Sequence, residues 1–183
     1  MGDMYVVAVV GMTGSGKSEV AACFERHGYT RVRFGDITDD EVKRQGLLLN
    51  EANERVAREA LRREHGMDAY ARLSRPRIDA GLKKGNVVVD GLYSWEEYLL
   101  LKGHYGDAFR LVAVWSSPAV RYARLGRREV RPLTPEEAAS RDRAEVENLN
   151  KGGPIAMADR TILNDGSYQD LIRQTEEIIG EFA

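Results

Sequence analysis

Cys23 is the single cysteine in 183 residues, which excludes an internal disulfide and a thiolate metal site. Its place on a stretch that reads as helix makes it an ordinary buried thiol. His27, His65 and His104 are scattered without metal-ligand spacing and read as surface or packing residues. No apolar run exceeds the few residues of a strand, and Met1-Gly2-Asp3-Met4 lacks the charged start and long apolar core of a secretory leader. A cytoplasmic location with no membrane partner is therefore expected. An excess of charge of one sign is lacking too: 27 basic against 29 acidic residues leave a formal net charge of -2, which gives no global field to draw in nucleic acid. Anion binding must then come from local clustering. Repeats, low-complexity tracts and long linkers are also absent, and a chain of this length that is 43% hydrophobic holds one sizeable core, so a single domain is expected.

The local clustering begins near the N-terminus. Val6-Val7-Ala8-Val9-Val10 reads as a buried strand, and Gly11-Met12-Thr13-Gly14-Ser15-Gly16-Lys17-Ser18 follows it and leads into a helical stretch starting with Glu19. Every fixed position of G-x-x-x-x-G-K-[ST] is matched, with the strand before and the helix after that the motif requires. Gly11, Gly14 and Gly16 permit the positive φ that turns backbone N–H groups toward one point and makes an anion-binding concavity. The helix start adds unpaired N–H groups and the positive end of its dipole. Lys17 would reach the β and γ phosphates and the Ser18 hydroxyl a Mg²⁺ ion. The implied ligand is a nucleoside triphosphate.

Downstream, Thr30 to Phe34 reads as a second strand ended by Gly35-Asp36. Helical spacing without strand signal then runs from Asp36 to Lys84, in pieces near Asp39 to Arg44, Asn50 to His65 and Asp68 to Leu82. Asn86 to Asp90 and Arg110 to Trp115 are buried-type strands, with helices expected from about Ser94 to Lys102 and from about Pro118 to Leu125. Thr134-Pro135-Glu136-Glu137 combines an N-cap, a first-turn proline and a capping-box glutamate, and starts a helix toward Asn148. Arg160 to Asn164 is the last strand, and a helix from Tyr168 to Phe182 follows. Strands alternating with helices imply a parallel sheet covered on both faces, with ligands at the carboxyl ends of the strands. Gly11, Asp36, Asp90, Ser116 and Asn164 all fall just after expected strands, so their loops should meet at one edge.

Asp90 closes an apolar strand and is the natural carboxylate to complete a Mg²⁺ site with Ser18; a turn-forming role before Gly91 is the bland alternative. Arg121, Arg124, Arg127, Arg128 and Arg131 place five guanidinium groups within eleven residues, with Arg141 and Arg143 beyond them. Such a run is usually a solvated helix face. Next to a phosphate loop it also reads as a lid that brings positive charge over a migrating phosphoryl group and excludes water.

These stretches, with Ser94-Trp95-Glu96-Glu97, Arg141-Asp142-Arg143-Ala144-Glu145 and Ile155 to Asp159 leading to Ile162-Leu163-Asn164-Asp165-Gly166, occur in an order that resembles the nucleoside monophosphate kinase and dephospho-CoA kinase group of P-loop kinases. The resemblance is greatest to the small adenylate-kinase-related proteins of archaea and covers nearly the whole chain. It implies an α/β P-loop NTPase three-layer sandwich with a five-stranded parallel sheet. The core would comprise residues 1–35, 86–123 and 155–183, with an acceptor-side helical insert at 36–85 and an arginine-rich lid at 124–154. By the same carry-over, Arg124 and the loop from Asn164 to Gly166 would contact the adenine end of ATP, and Arg128, Arg131, Arg141 and Arg143 would lie near the phosphates.

The departures from the family pattern bear on the acceptor. Nucleoside monophosphate kinases usually carry an arginine three residues after the Gly-Asp of the second strand and another just after the Asp-Gly of the third; here these places hold Asp39 and Tyr93. A carboxylate where a phosphate should dock is repulsive. Arg72, Arg75 and Arg77 are candidates for a relocated clamp. The acceptor could instead be a free hydroxyl, as in dephospho-CoA kinases, where an aspartate after the second strand resembles Asp36 as proton acceptor; an N-cap is the structural alternative for Asp36. The expected activity is ATP- and Mg²⁺-dependent transfer of the γ-phosphoryl group to dephospho-CoA or a nucleoside monophosphate. Lys17, Asp36, Arg128 and Arg131 would be catalytic. The rival is an ATP-binding regulator or slow ATPase switch. A nucleic-acid module is disfavoured because aromatic residues do not interleave with the arginines. Trp115 and Tyr122 suit a core or an interface, so the sequence is compatible with a monomer or a dimer.

Overall fold

The computed structural model describes residues 4–129 and 132–182. Arg131, one of the candidate catalytic arginines, lies outside the described residues. The order of elements is β1 (Val6–Val10), α1 (Lys17–Arg26), β2 (Thr30–Arg33), α2 (Gly35–Arg44), α3 (Glu51–His65), α4 (Ala69–Leu82), β3 (Val87–Asp90) and α5 (Trp95–Tyr105). After them come β4 (Phe109–Trp115), α6 (Pro118–Gly126), α7 (Pro135–Glu147), α8 (Gly152–Ala156), β5 (Arg160–Leu163) and α9 (Tyr168–Phe182).

All five strands are parallel, in the order β2-β3-β1-β4-β5. β1 is central, with Val6 opposite both Val87 and Phe109. Its alternate residues feed two cores. Val6, Ala8 and Val10 pack with Ala69, Tyr70 and Ile78 of α4 and Leu101 of α5, whereas Val7 and Val9 pack with Val20 and Phe24 of α1 and Leu171 and Ile178 of α9. Each β1 valine is fully buried, worth about 1.5–3 kcal/mol apiece relative to exposure, so the strand that carries the glycine loop is the most firmly held part of the sheet.

Two boundaries and one whole element stand out against the sequence reading. Gly35 and Asp36 do not end β2; they open α2, because Phe34 already has helical backbone angles (φ -63°, ψ -31°) with its ring buried against Tyr70 and Tyr93. Asp36 is therefore a first-turn residue and not an N-cap. α5 runs on to Tyr105 and stops where Gly106 takes φ +53°. The short α8 had no helical signal in Gly152-Gly153-Pro154; it is held by burial of Pro154 and by the close approach of Gly153 to the Trp95 ring, which a Cβ would meet at 2.6 Å. Cys23 is buried, and burial raises its thiol pKa, as an inert core cysteine requires. Among the described residues no helix is long and apolar enough to cross a membrane.

Candidate functional site

The loop leaves β1 at the carboxyl edge of the sheet, where β3, β4 and β5 also end. Gly16 sits at the N-cap of α1 with φ +101°, and a Cβ there would lie 2.4 Å from Asn164 Nδ2. Among the described residues no side chain caps this helix; Glu19 and Val20 donate their N–H groups to the Gly16 carbonyl, which leaves those of Lys17 and Ser18 open to a ligand. Gly11 has the same steric requirement: its Cβ would come within 2.4 Å of the Val114 carbonyl oxygen.

Distant elements fix the loop's shape. Asn164, just after β5, donates from Nδ2 to the Ser15 carbonyl at 2.7 Å. Arg121 of α6 is buried and donates to the Thr13 carbonyl at 3.1 Å and the Ser116 carbonyl at 3.0 Å, while two of its nitrogens grip Asp142 of α7 at 2.7 and 2.6 Å. Tyr122 donates to the same carboxylate at 3.0 Å. Glu145, one turn further along α7, accepts from the Thr13 backbone N–H at 3.1 Å and from the Thr13 hydroxyl. α6 and α7 are thus clamped to each other and to the loop.

Lys17 donates from Nζ to the Met12 carbonyl at 2.9 Å. Desolvation, and then the charge of Lys151, bring its pKa down to about 7, against the opposing pull of Glu145 and Asp90. Lys151 is itself 1% exposed and pairs with Glu145 at 2.9 Å. Burial alone would raise the Glu145 carboxyl, but the charges of Lys151 and Lys17 and the Thr13 hydrogen bond hold it at about 2. Arg141 reaches the same carboxylate at 3.9 Å. Lys17, Lys151 and Arg141 thus surround one carboxylate, a surplus of positive charge at the loop's mouth. Arg128, past the end of α6, is exposed; desolvation and the charge of Arg141 lower its pKa, so these two guanidinium groups belong to the same field. Arg143 is exposed on α7.

Arg124 belongs to a different group. It donates to the Ser116 hydroxyl at 3.2 Å and to Asn164 Oδ1 at 3.4 Å. Asp165 accepts from the Ser116 hydroxyl and the Ser117 N–H, both at 2.8 Å, and so ties the Asn164 to Gly166 loop to the end of β4. The structure therefore brings Arg124 and this loop together beside the glycine loop.

Asp90 ends β3 next to Val9 and is 5% exposed; Arg31 of β2 binds its Oδ2 at 2.5 Å and also reaches Glu25 at 3.4 Å. Ser18 is exposed in the first turn of α1. A hydroxyl and a carboxylate are hard oxygen donors of the kind Mg²⁺ takes, and they fit that ion, with Arg31 as its competitor for Asp90.

On the other side of the loop, Asp36 and Asp39 both face Arg33, at 3.4 and 3.2 Å. Phe34, Tyr70 and Tyr93 form an aromatic cluster, with 5.4 Å between the Tyr70 and Tyr93 ring centroids and 6.3 Å between Phe34 and Tyr93. Arg62 lies 5.1 Å over the Tyr70 ring and Lys151 5.6 Å over the Tyr93 ring. Of the candidate clamp, Arg72 pairs with Asp68 at the N-cap of α4, Arg77 pairs with Asp40 of α2 at 2.8 Å, and the charge of Arg75 acts on Tyr105 of α5. Arg31, Glu145 and Lys151 are the site residues that motif reasoning missed as actors. Only a charged residue inside or beside an apolar pattern could have signalled them, and Lys151, between Asn150 and two glycines, had not even that signal.

Residues 7–148 match the family model described as an AAA domain. A UPF0200 protein of Thermococcus gammatolerans is 35% identical over 179 residues, covering 95% of this chain and 93% of its own. Among solved structures, TT1252 of Thermus thermophilus superposes with a TM-score of 0.70 at 21% identity, over the whole of both chains. A gluconokinase from Sinorhizobium meliloti gives 0.62 at 16%, over 100% of this chain and 95% of that one. A dephospho-CoA kinase from Campylobacter jejuni gives 0.56 at 13%, over 100% and 99%. At these identities the structures establish a P-loop kinase-like fold.

Proposed function

We propose that this chain, which belongs to the UPF0200 family, is a phosphotransferase that moves the γ-phosphoryl group of Mg²⁺-ATP to a small nucleotide-like acceptor. The observation that carries the reading is the grouping of Lys17, Lys151 and Arg141 around Glu145, which itself bonds Thr13 of the glycine loop. Polyphosphate is the ligand such a field selects. The P-loop kinase-like fold favours phosphoryl transfer over other uses of the nucleotide.

In this reading the loop's N–H groups and Lys17 bind the β and γ phosphates. Arg124 and the Asn164 to Gly166 loop hold the adenine end. Ser18 and Asp90 would hold Mg²⁺, which when bound neutralises phosphate charge. Arg128, Arg131, Arg141 and Arg143 spread the charge that develops as the γ-phosphoryl group moves, acting from the lid at 124–154. Asp36, aimed by Arg33 at the start of the insert, orients or deprotonates the acceptor. Arg33 also offsets the charge of Asp39, so an anionic acceptor faces less repulsion than Asp39 alone would give. Dephospho-CoA and nucleoside monophosphates are the acceptors this arrangement suits, in a cytoplasmic reaction.

A second reading, an ATP-binding regulator with slow hydrolysis, is favoured by one observation: the carboxylate of Asp39 and the ring of Tyr93 stand where acceptor-binding arginines are expected. ADP release is to be measured with Mg²⁺-ATP in water alone and with AMP, CMP, UMP, dTMP, GMP and dephospho-CoA, with product masses identified. Stimulation by one acceptor with a matching phosphorylated product supports the transferase, and Lys17→Ala should abolish it. Tight ATP binding with only slow, acceptor-independent hydrolysis would move the assignment to the regulator.

A further inference from the structure

Lys151 has no place in the glycine-loop motif, yet it is among the most buried side chains of the molecule. Its position is defined on two sides. Its Nζ lies 2.9 Å from Glu145 Oε2, and the same oxygen accepts the Thr13 N–H at 3.1 Å, so no more than about 6 Å separates the lysine nitrogen from the glycine loop's backbone. On the other side it lies over the Tyr93 ring, 5.6 Å from the centroid, within the aromatic cluster of Phe34, Tyr70 and Tyr93. Lys151 therefore spans the junction between the phosphate loop and the wall that carries Asp36.

A cation in the depth of the loop serves the β-phosphate; a cation at its mouth, toward the acceptor wall, serves the group in transit. Lys151 is of the second kind. The acceptor wall has Tyr93 at the position where a cation is wanted, and Lys151 brings the ammonium over that ring from the start of α8. Burying a lysine costs several kcal/mol unless it is paired, and Glu145 is the pair that makes its retention possible. Both Glu145 oxygens also occupy the donors of Thr13. A terminal phosphate presents oxygens of the same charge and hydrogen-bonding type as that carboxylate, and it would compete for the same donors.

We propose that Lys151 is a second phosphate-binding lysine of this site, held ready on Glu145 and contacting the γ-phosphoryl group of the bound nucleotide. This inference rests on the reading of the loop as an ATP site. The decisive comparison is binding of ATP against ADP, each with Mg²⁺, measured by titration calorimetry on the wild type and on Lys151→Met. The variant should lose about tenfold or more in affinity for ATP, the size of one charge-assisted contact, while its affinity for ADP stays within about twofold. A merely structural lysine would weaken both nucleotides alike. If melting curves show that Lys151→Met does not fold, Lys151→Gln, which retains a donor for Glu145, takes its place with the same expectation. A wild type that binds both nucleotides, with a variant whose ATP-to-ADP ratio is unchanged, would overturn this inference alone. A wild type that binds neither would overturn the ATP-site reading and this inference with it.

Discussion

Nucleotide binding should draw a proton into the protein. Lys17 in the free loop has its pKa brought down to about 7 by desolvation and by the charge of Lys151, from an ordinary 10.5. Above that pH the free loop holds a neutral amine. A polyphosphate seated beside it replaces lost hydration with negative charge and restores the ammonium to its ordinary range or above. The magnitude follows from the two values: at pH 8 about one free molecule in ten carries the proton, against nearly all of the bound ones, so about 0.9 proton is taken up per nucleotide. At pH 7 the uptake falls to about 0.5, and at pH 6 to about 0.1. The assay is calorimetric titration of Mg²⁺-ATP in Tris and in Hepes at each pH, since the difference in buffer ionisation enthalpy reads the protons directly. The sign is uptake, and it grows as pH rises from 6 to 8. Heats that do not depend on buffer at pH 8, or protons released there, would refute the placement of Lys17 at the phosphates.

Three further outcomes follow from the same contacts. Gly16→Ala must force a Cβ into Asn164 Nδ2 at a φ of +101°, so it should cost about 1–3 kcal/mol in a denaturant melt, break the hold on the Ser15 carbonyl and weaken ATP binding; a variant of wild-type stability and affinity would contradict the loop geometry. Arg121→Met leaves the half-buried Asp142 with Tyr122 alone and takes the donor from the Thr13 and Ser116 carbonyls, which should cost about 2–4 kcal/mol, and an effect under about 1 kcal/mol would show that the clamp is not structural. Glu145 has its folded pKa depressed to about 2 from 4.5, so its contribution, about 3 kcal/mol, is complete above pH 4.5 and is lost as pH falls toward 2. Glu145→Gln should thus be less stable than the wild type at pH 7, with the gap closing between pH 4.5 and 2; a gap that stays constant across that window would sink the assignment.

The parallel sheet and the loop were legible because each rests on a local signal: five consecutive apolar residues before Gly11, and fixed motif positions through Ser18. Capping chemistry served equally well. Thr134 accepts from the Glu137 N–H and donates its own N–H to the Glu137 carboxylate, the box that placed the start of α7 from sequence; Ser94 and Glu97 form the same box at the start of α5. The arginine run was legible as a cluster but not as separate parts. Arg121 and Arg124 share α6, yet the first became a buried strut and the second joined Asn164, because Asp142 and Ser116 come to them from elements distant in sequence. Arg31 was hidden for the same reason: in a strand reading Thr-Arg-Val-Arg it is an ordinary edge residue until β3 places Asp90 beside it. Helical spacing on α4 offered Arg72, Arg75 and Arg77 no partners, and only the packing of α4 against α2 and α5 brings Asp40 to Arg77 and Tyr105 near Arg75.

The division of charge around Thr13 explains why α7 and the glycine loop behave as one unit. Glu145 ties the helix to the loop through two donors of a single residue, and Arg121 ties the same residue's carbonyl to α7 through Asp142. The two ties differ in what a phosphate does to them. The carbonyl accepts, so a phosphate has no means of competing for it; the N–H and hydroxyl donate, so an incoming oxygen anion competes for both. Binding would therefore release the Glu145 tie and keep the Arg121 tie. Displacement alone would leave Glu145 as a buried carboxylate, but Lys151 and Arg141 lie beside it and offset that cost.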